Sequence, residues 1–411
     1  MVRVNPFAAL RPNPSVAAEL ASVPYDVVDT EEARCLAHGH PLSFLRVVRS
    51  EVDLPSDIDP HADVVYERAL DNFRELEREA LLRESVPSIY LYRQEMTLLG
   101  RVVRQTSVVA CCHADDYVAG VIKRHEKTRR DKEDDRTRHV LTLRANTGLV
   151  FMMYPDQPSI SALMAADTRA APLYDFVAVD GVRHVVWKSA TPQQYVREFR
   201  HVAAAYIADG HHRAASAARA ASELRVQNPG HRGDEECNWF SCALFPASEL
   251  TILPYHRVVR DLNGLSVDAL LDRLRAVARV EAVSEPLPEH PGSFGMYVAG
   301  RWYLLALPER GIDRSDPVGS LDYTLLYERV LAPILGIGDI RTDRRVDFVG
   351  GIRGTRELEK RVDGGRDALA FAMRATTTEH VIRVADAGQI MPPKSTWFEP
   401  KLRSGLLIHT L

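Results

Sequence analysis

Between residues 205 and 226 an apolar run ends at Asp209-Gly210 and a long alanine-rich stretch takes over. Ala205 to Ala208 read as a short strand, and Arg213 to Val226 as a helix, since alanine is the strongest helix former. Gly210 supplies the tight turn between them. A strand that turns directly into a helix places the chain in the α/β class, with mixed sheets.

At 411 residues the chain is too long for one ordinary core, so two or three domains are expected. Several elements are legible along it. His61 to Leu82 has helical spacing, with Val65, Ala69, Phe73, Leu76 and Ala80 on one face. Ser88 to Met96 and Val102 to Cys112 alternate as strands around Gly100, and Asp180-Gly181 marks a second hairpin. Pro41 to Val48 reads as a strand preceded by a turn. A shift near Pro254 separates a first domain, residues 1–253, from a second α+β domain, residues 254–390. That second domain is expected to hold helices at 266–277, 322–335 and 378–387. The last stretch, 391–411, reads as an irregular strap that returns to the first domain's site.

The apolar fraction of 45% and charged fraction of 26% are those of an ordered globular chain. A net charge of −4 argues against a nucleic-acid partner. Five cysteines with no C-x-x-C pair argue against a disulfide framework and for a cytoplasmic setting. No stretch approaches the roughly 18 apolar residues of a membrane-spanning helix. A homodimer is compatible with all of this.

The chemistry concentrates at Asp209-Gly210-His211-His212-Arg213. The first turn of a helix has unpaired N–H groups and the positive end of the helix dipole, which together favour an anion. Glycine at 210 lets a ligand approach the backbone closely. His211 and His212 add donors, and Arg213 suits bidentate contact with phosphate. Asp209 is placed to hold Mg²⁺ or to orient a hydroxyl. The plainer alternative makes Asp209 an N-cap and the two histidines exposed turn residues.

Two further segments carry candidate groups. Lys123 to His139 is the most charged run in the chain, and its acidic residues dilute any basic face. It reads either as a solvated helix face or as a mobile loop over nucleotide phosphates. In the second reading Arg124 and His125 contact phosphate, and Glu126 is the general base. In the tail, Lys394, Ser395, Thr396, Lys401 and Arg403 are clustered donors. The first three are expected to reach a phosphate, although a tail packed on the surface is equally consistent with the pattern. Tyr25, Asp26 and Arg46 are candidate substrate contacts. There is no Gly-x-x-x-x-Gly-Lys-Ser/Thr loop, no dinucleotide fingerprint and no protein-kinase signature.

The Asp209–Arg213 segment resembles the Asp-Gly-His-His-Arg motif of free L-serine kinases in the ParB/sulfiredoxin-like superfamily. The phosphate-binding Gly-x-x-Arg-x-x-Ala box of that superfamily reads here Gly210-x-x-Arg213-x-x-Ser216-Ala217. The chain is also similar over nearly its whole length to a bacterial and archaeal family of unknown function. That similarity runs through Pro6-Phe7, Val23-Pro24-Tyr25-Asp26, Pro41 to Arg46, Arg124-His125-Glu126-x-Thr128 and Met391 to Lys401. Ala214 departs from the aromatic usual after the arginine. The resemblance implies a ParB/sulfiredoxin-like nucleotide-binding core. It also implies a kinase that uses ATP or ADP with Mg²⁺ and acts on free serine or a related small hydroxy-amino acid, with a glutamate outside the motif as base. A phosphoserine phosphatase, a nucleotide hydrolase and a non-enzymatic nucleotide-binding switch remain open beside it.

Overall fold

A computed structural model describes residues 1–98 and 100–411. Leu99, in the turn of the hairpin expected around Gly100, lies outside the described residues. The fold is mixed α/β, as expected, and divides into two units. The first is Met1–Leu250 together with Pro400–Leu411, and the second is Thr251–Glu399.

Among the described residues, nine strands of the first unit form one mixed sheet. From one edge the order is Ile122–Lys123, Ala205–Asp209, Val150–Tyr154, Trp239–Pro246, Arg101–His113, Tyr90–Leu98, Arg183–Lys188 and Tyr174–Val177, with Val4–Asn5 also paired to Arg101–His113. The central strands read as apolar runs because both faces are covered. Val108, Ala110 and Cys112 join Met152, Tyr195 and Phe199 in one core cluster, while Val109 and Cys111 are buried on the opposite face.

Two hairpins follow from turn chemistry. Gly100 and Gly181 both have positive φ, 77° and 81°, and each links an antiparallel pair. The helix Asp63–Glu79 buries Val65, Ala69, Phe73 and Leu76, the face its periodicity defined. The valine, phenylalanine and leucine each contribute about 2 kcal/mol relative to exposure. It shares a second cluster with Phe44, Leu45, Leu143 and Ile408.

Pro41 to Val48 is a correction. Leu45–Val48 is a short helical turn. The Ser43 hydroxyl accepts from the Leu45 N–H at 3.4 Å, and the Asn72 amide donates to the Arg46 carbonyl at 2.7 Å. These tertiary contacts override the strand preference of Val47 and Val48. The charged run divides: residues 124–129 lie outside regular elements, and a helix follows. Arg130–Leu143 is a helix that buries Asp135, Thr137, His139 and Leu143.

The second unit holds a six-stranded antiparallel sheet, counted among the described residues, in the order Arg279–Ala282, Arg301–Ala306, Ser293–Val298, Leu369–Ala372, Tyr255–Val259, Val346–Gly350. Helices Val267–Arg275 and Thr378–Asp386 match expectation. The helix expected over 322–335 is α-helical only through Leu326 and widens into a π turn over Tyr327–Leu331.

Candidate functional site

The sheet's edge positions the site. Ala205–Asp209 pairs in parallel with Ile122–Lys123, Tyr206 opposite Lys123. Both strands therefore end on the same side, and the segments that follow them, 124–129 and 210–213, emerge together. The carboxyl ends of parallel strands are where α/β sheets hold ligands. A register shift between Ile207 and Asp209 marks an irregularity just before the turn.

Gly210 is the N-cap of the 17-residue helix His211–Gln227, with φ 88°. That left-handed backbone favours glycine. A Cβ there would also lie 2.8 Å from Arg213 Nε and 2.9 Å from its Cζ, so the guanidinium lies directly against the turn. The N–H groups of the first helical turn have no partner within the helix. The helix packs closely because Ala214, Ala217, Ala218 and Ala221 on its inner side are small and buried. Ser216 donates to the Glu133 carbonyl at 3.2 Å, tying this helix to Arg130–Leu143.

Around this turn lie most of the expected residues. Asp209 Oδ1 accepts from the Gly210 N–H at 2.8 Å, and Oδ2 accepts from Lys401 Nζ at 2.8 Å. Burial alone would raise this carboxyl, but the Lys401 and Arg213 charges hold it well below the usual range. Arg213 is 12% exposed, donates through Nη1 to the Leu149 carbonyl, and has Nη2 3.8 Å from Asp26. Its Nε is buried without a hydrogen-bond partner. Burial opposes the Arg213 charge, and Asp26 and Asp209 restore it, leaving the guanidinium firmly protonated.

The two histidines differ. His211 is buried, packs edge-on against His125 at 4.6 Å, and places Nδ1 3.8 Å from Glu126, while its Nε2 has no hydrogen-bond partner. Burial, then the neighbouring His125, pushes His211 well below its ordinary pKa, so it is neutral at physiological pH. His212 is half-buried, and its Nε2 accepts from the Arg129 N–H at 3.0 Å. Burial lowers its pKa as well. In this structure His212 is a neutral anchor for the 124–129 segment rather than a cation facing phosphate. Burial likewise lowers His125.

Of the remaining expected residues, Tyr25 stays beside Arg213 and others do not. Tyr25 lines a small cavity with Arg136, His139, Asn146, Arg213 and Ser404. At about 30 Å³ it admits a water and no metabolite. The Tyr25 ring stacks under the Arg136 guanidinium at 4.3 Å, and burial, then Asp26, pushes its hydroxyl up to about 12. Arg124 is exposed, donating to the Tyr117 hydroxyl at 3.3 Å. Arg46 is not brought to this site. It pairs with Asp53, donates to the carbonyls of His40 and Ala37, and lines a different cleft with Arg68 and Asn72. The helical turn at Leu45–Val48 directs it there.

Lys394, Ser395 and Thr396 belong to the second unit. There Lys394 lies over the Tyr255 ring at 5.4 Å, and buried Ser395 donates to the Pro392 carbonyl at 2.7 Å. From Pro400 onward the tail belongs to the first unit, and the tail residue that meets the Asp-Gly turn is Lys401. Sequence reasoning saw Lys401 only as one tail cation among several; its partner is 192 positions away.

The expected Mg²⁺ ligand does not suit the donor set. Mg²⁺ seeks carboxylate oxygens in near-octahedral geometry. Both Asp209 oxygens are engaged, and among the described residues no group of three His, Cys, Asp or Glu side chains is arranged to hold a metal. The cation beside this carboxylate is the Lys401 ammonium.

The family described as "Protein of unknown function (DUF1015)" matches residues 4–324. The chain belongs to that family. No curated protein matches it. Among solved structures it is similar to a conserved hypothetical protein from Pyrococcus furiosus, with 12% identity and TM-score 0.35 over 73% of this chain and 95% of that one. It is similar to a free serine kinase in complex with AMP, with 11% identity and TM-score 0.36 over 73% and 91%. It is also similar to SbnI with a C-terminal truncation from Staphylococcus aureus, with 12% identity and TM-score 0.38 over 73% and 87%. No helix of the described residues is long and apolar enough to cross a membrane.

Proposed function

We propose that this protein is a nucleotide-dependent phosphotransferase that moves a phosphoryl group from ATP or ADP to the hydroxyl of a small acceptor, free L-serine first among them. One observation carries the reading. Arg213, in the first turn of a long glycine-initiated helix, keeps a buried Nε without a partner and only a loose carboxylate neighbour at 3.8 Å. A buried donor left unsatisfied costs roughly 1–3 kcal/mol, which an oxyanion arriving at the turn recovers. The motif resemblance to serine kinases supports the same assignment.

The roles follow from the geometry. The Gly210 turn, the first-turn N–H groups, Arg213 and Lys401 receive the phosphates and spread the charge that develops on the transferred group. Phosphoryl transfer asks mainly for such positioning and charge stabilisation. The acceptor oxygen attacks phosphorus, the bond to the nucleotide's bridging oxygen breaks with the electron pair going to that oxygen, and the hydroxyl proton passes to Glu126. Neutral His211, adjacent to Glu126, orients that carboxylate. The water-sized cavity behind Arg213 leaves the acceptor on the open side of the turn.

Mass spectrometry after incubation with ATP, with ADP and with a pool of amino acids tests this. O-phosphoserine or another phosphorylated hydroxy-amino acid is expected, falling roughly 10²-fold or more in Arg213→Ala. Release of phosphate from phosphoserine without nucleotide assigns a phosphatase instead, and nucleotide binding with no product assigns a switch; either overturns the kinase reading.

A further inference from the structure

The second unit contains a cleft of about 320 Å³ that the reading above does not use. Three guanidinium groups line it, from Arg314, Arg374 and Arg383, together with the His380 imidazole. Its volume is at the small end of ligand-binding pockets. Each arginine is fixed by one set of contacts and retains further N–H groups. Buried Asp322 accepts from Arg374 Nε at 3.2 Å, with its other oxygen spent on the Gly292 N–H at 2.7 Å. Arg383 Nη2 donates to the Arg314 carbonyl at 3.0 Å. Arg314 pairs with Glu309, which is 71% exposed, so that pair is a weak rim contact.

His380 is fixed as a donor. Its Nδ1 accepts from the Thr377 N–H at 3.3 Å in a capping box, while the Thr377 hydroxyl accepts from the His380 N–H at 3.2 Å. The ring proton of the neutral imidazole is therefore on Nε2. The two lining carboxylates, Asp322 and Glu309, are already committed, so the cleft presents donors in excess of acceptors and a net positive charge.

From this convergence we infer that the second unit binds a small oxyanion, a phosphomonoester or carboxylate metabolite, in the cleft between Arg314, Arg374, Arg383 and His380. Guanidinium forks match such oxygens in pairs.

Titration calorimetry of the full chain with inorganic phosphate, and separately with acetate, tests it in an Arg213→Ala background that removes the first unit's arginine. One equivalent of anion is expected to remain bound, and Arg383→Gln is expected to weaken it at least tenfold. Arg314→Gln, at a partly exposed position, gives the same direction should Arg383→Gln fail to fold. Tighter phosphate binding names a phosphomonoester, and tighter acetate binding a carboxylate. Absence of binding in the Arg213→Ala chain, or binding indifferent to both substitutions, overturns the inference. Neither result bears on the first unit, whose reading stands or falls with product formation.

Discussion

Gly210→Ala is the most direct perturbation of the proposed phosphate turn. At φ 88° an alanine is strained by about 1–2 kcal/mol. Its Cβ also lands 2.8 Å from Arg213 Nε, so the guanidinium must move. Moving it breaks the Nη1 bond to the Leu149 carbonyl, worth about 1 kcal/mol net. Reduced freedom of the unfolded chain returns about 0.4–1 kcal/mol. The sum is a loss of about 1–3 kcal/mol, which lowers the first unit's unfolding transition by about 2–6 °C. Displacing a charged donor from its phosphate contact weakens ADP binding by roughly 10–100-fold. Gly148→Ala is the matched control, since its Cβ would meet Arg213 Cδ at 3.5 Å and Ser404 Oγ at 3.7 Å, ordinary contact distances. It should change stability by less than about 0.5 kcal/mol. Calorimetric unfolding and ADP titration of both variants decide the matter. Wild-type stability and affinity in Gly210→Ala, or equal damage from Gly148→Ala, would refute the close approach on which the site depends.

Two further outcomes are expected. Lys401→Met removes the main cation beside Asp209. The pair is about a quarter exposed, so the cost at pH 7 is set at about 1–2 kcal/mol rather than the larger figure of a fully buried pair. A carboxyl held below its unfolded value stabilises the fold above that value and loses the effect as pH falls towards its folded value. The gap between wild type and variant in denaturant unfolding should therefore be full at pH 7 and narrow below about pH 4. His139 acts in the same direction but over a higher pH range. Burial, then Arg136, pushes it down to about 4, and the unfolded chain takes up the proton first as pH drops below about 6.5. Stability should fall with acidification by about 1.4 kcal/mol per pH unit from this group until about pH 4, and His139→Gln should flatten that limb.

What was legible in the sequence was local. The strand, turn and helix over residues 205–227 needed only apolar spacing, one glycine and a run of alanines. The proximity of Glu126 to His211 is not local. It arises from the parallel pairing of Ile122–Lys123 with Ala205–Asp209, which spans more than eighty residues. Lys401 carries no local signal either, because a lysine in a proline-rich tail looks alike whether it meets Asp209 or water. Val47 and Val48 favour extended backbone in the sequence, and nothing local signals where Arg46 points. Contacts from Ser43 and Asn72, together with pairing to Asp53, hold a helical turn there instead. Lys394 to Thr396 stand out by residue type alone, and residue type does not tell which unit a tail segment joins.

Other buried arginines in this chain differ from Arg213 in ways that support its proposed role as a ligand contact. Arg257 is a strut: its Nη1 donates to the carbonyls of Tyr255 and Lys394 at 2.6 and 2.9 Å, its Nη2 to that of Pro393 at 3.2 Å, and its charge rests on the Tyr323 ring at 4.1 Å. Arg403 is another, paired with Asp180 and bonded to His184 at 3.3 Å. Arg213 has one carbonyl, one carboxylate beyond hydrogen-bond reach, and a bare Nε. A bare Nε alone decides nothing, since Arg34 and Arg49 share it. The difference is location. Arg213 stands in the first turn of a helix whose first N–H groups have no partner within the helix, against a glycine in the left-handed region, beside a carboxylate already paired with Lys401. Each of those features lowers the cost of bringing in negative charge, and a purely architectural arginine needs none of them.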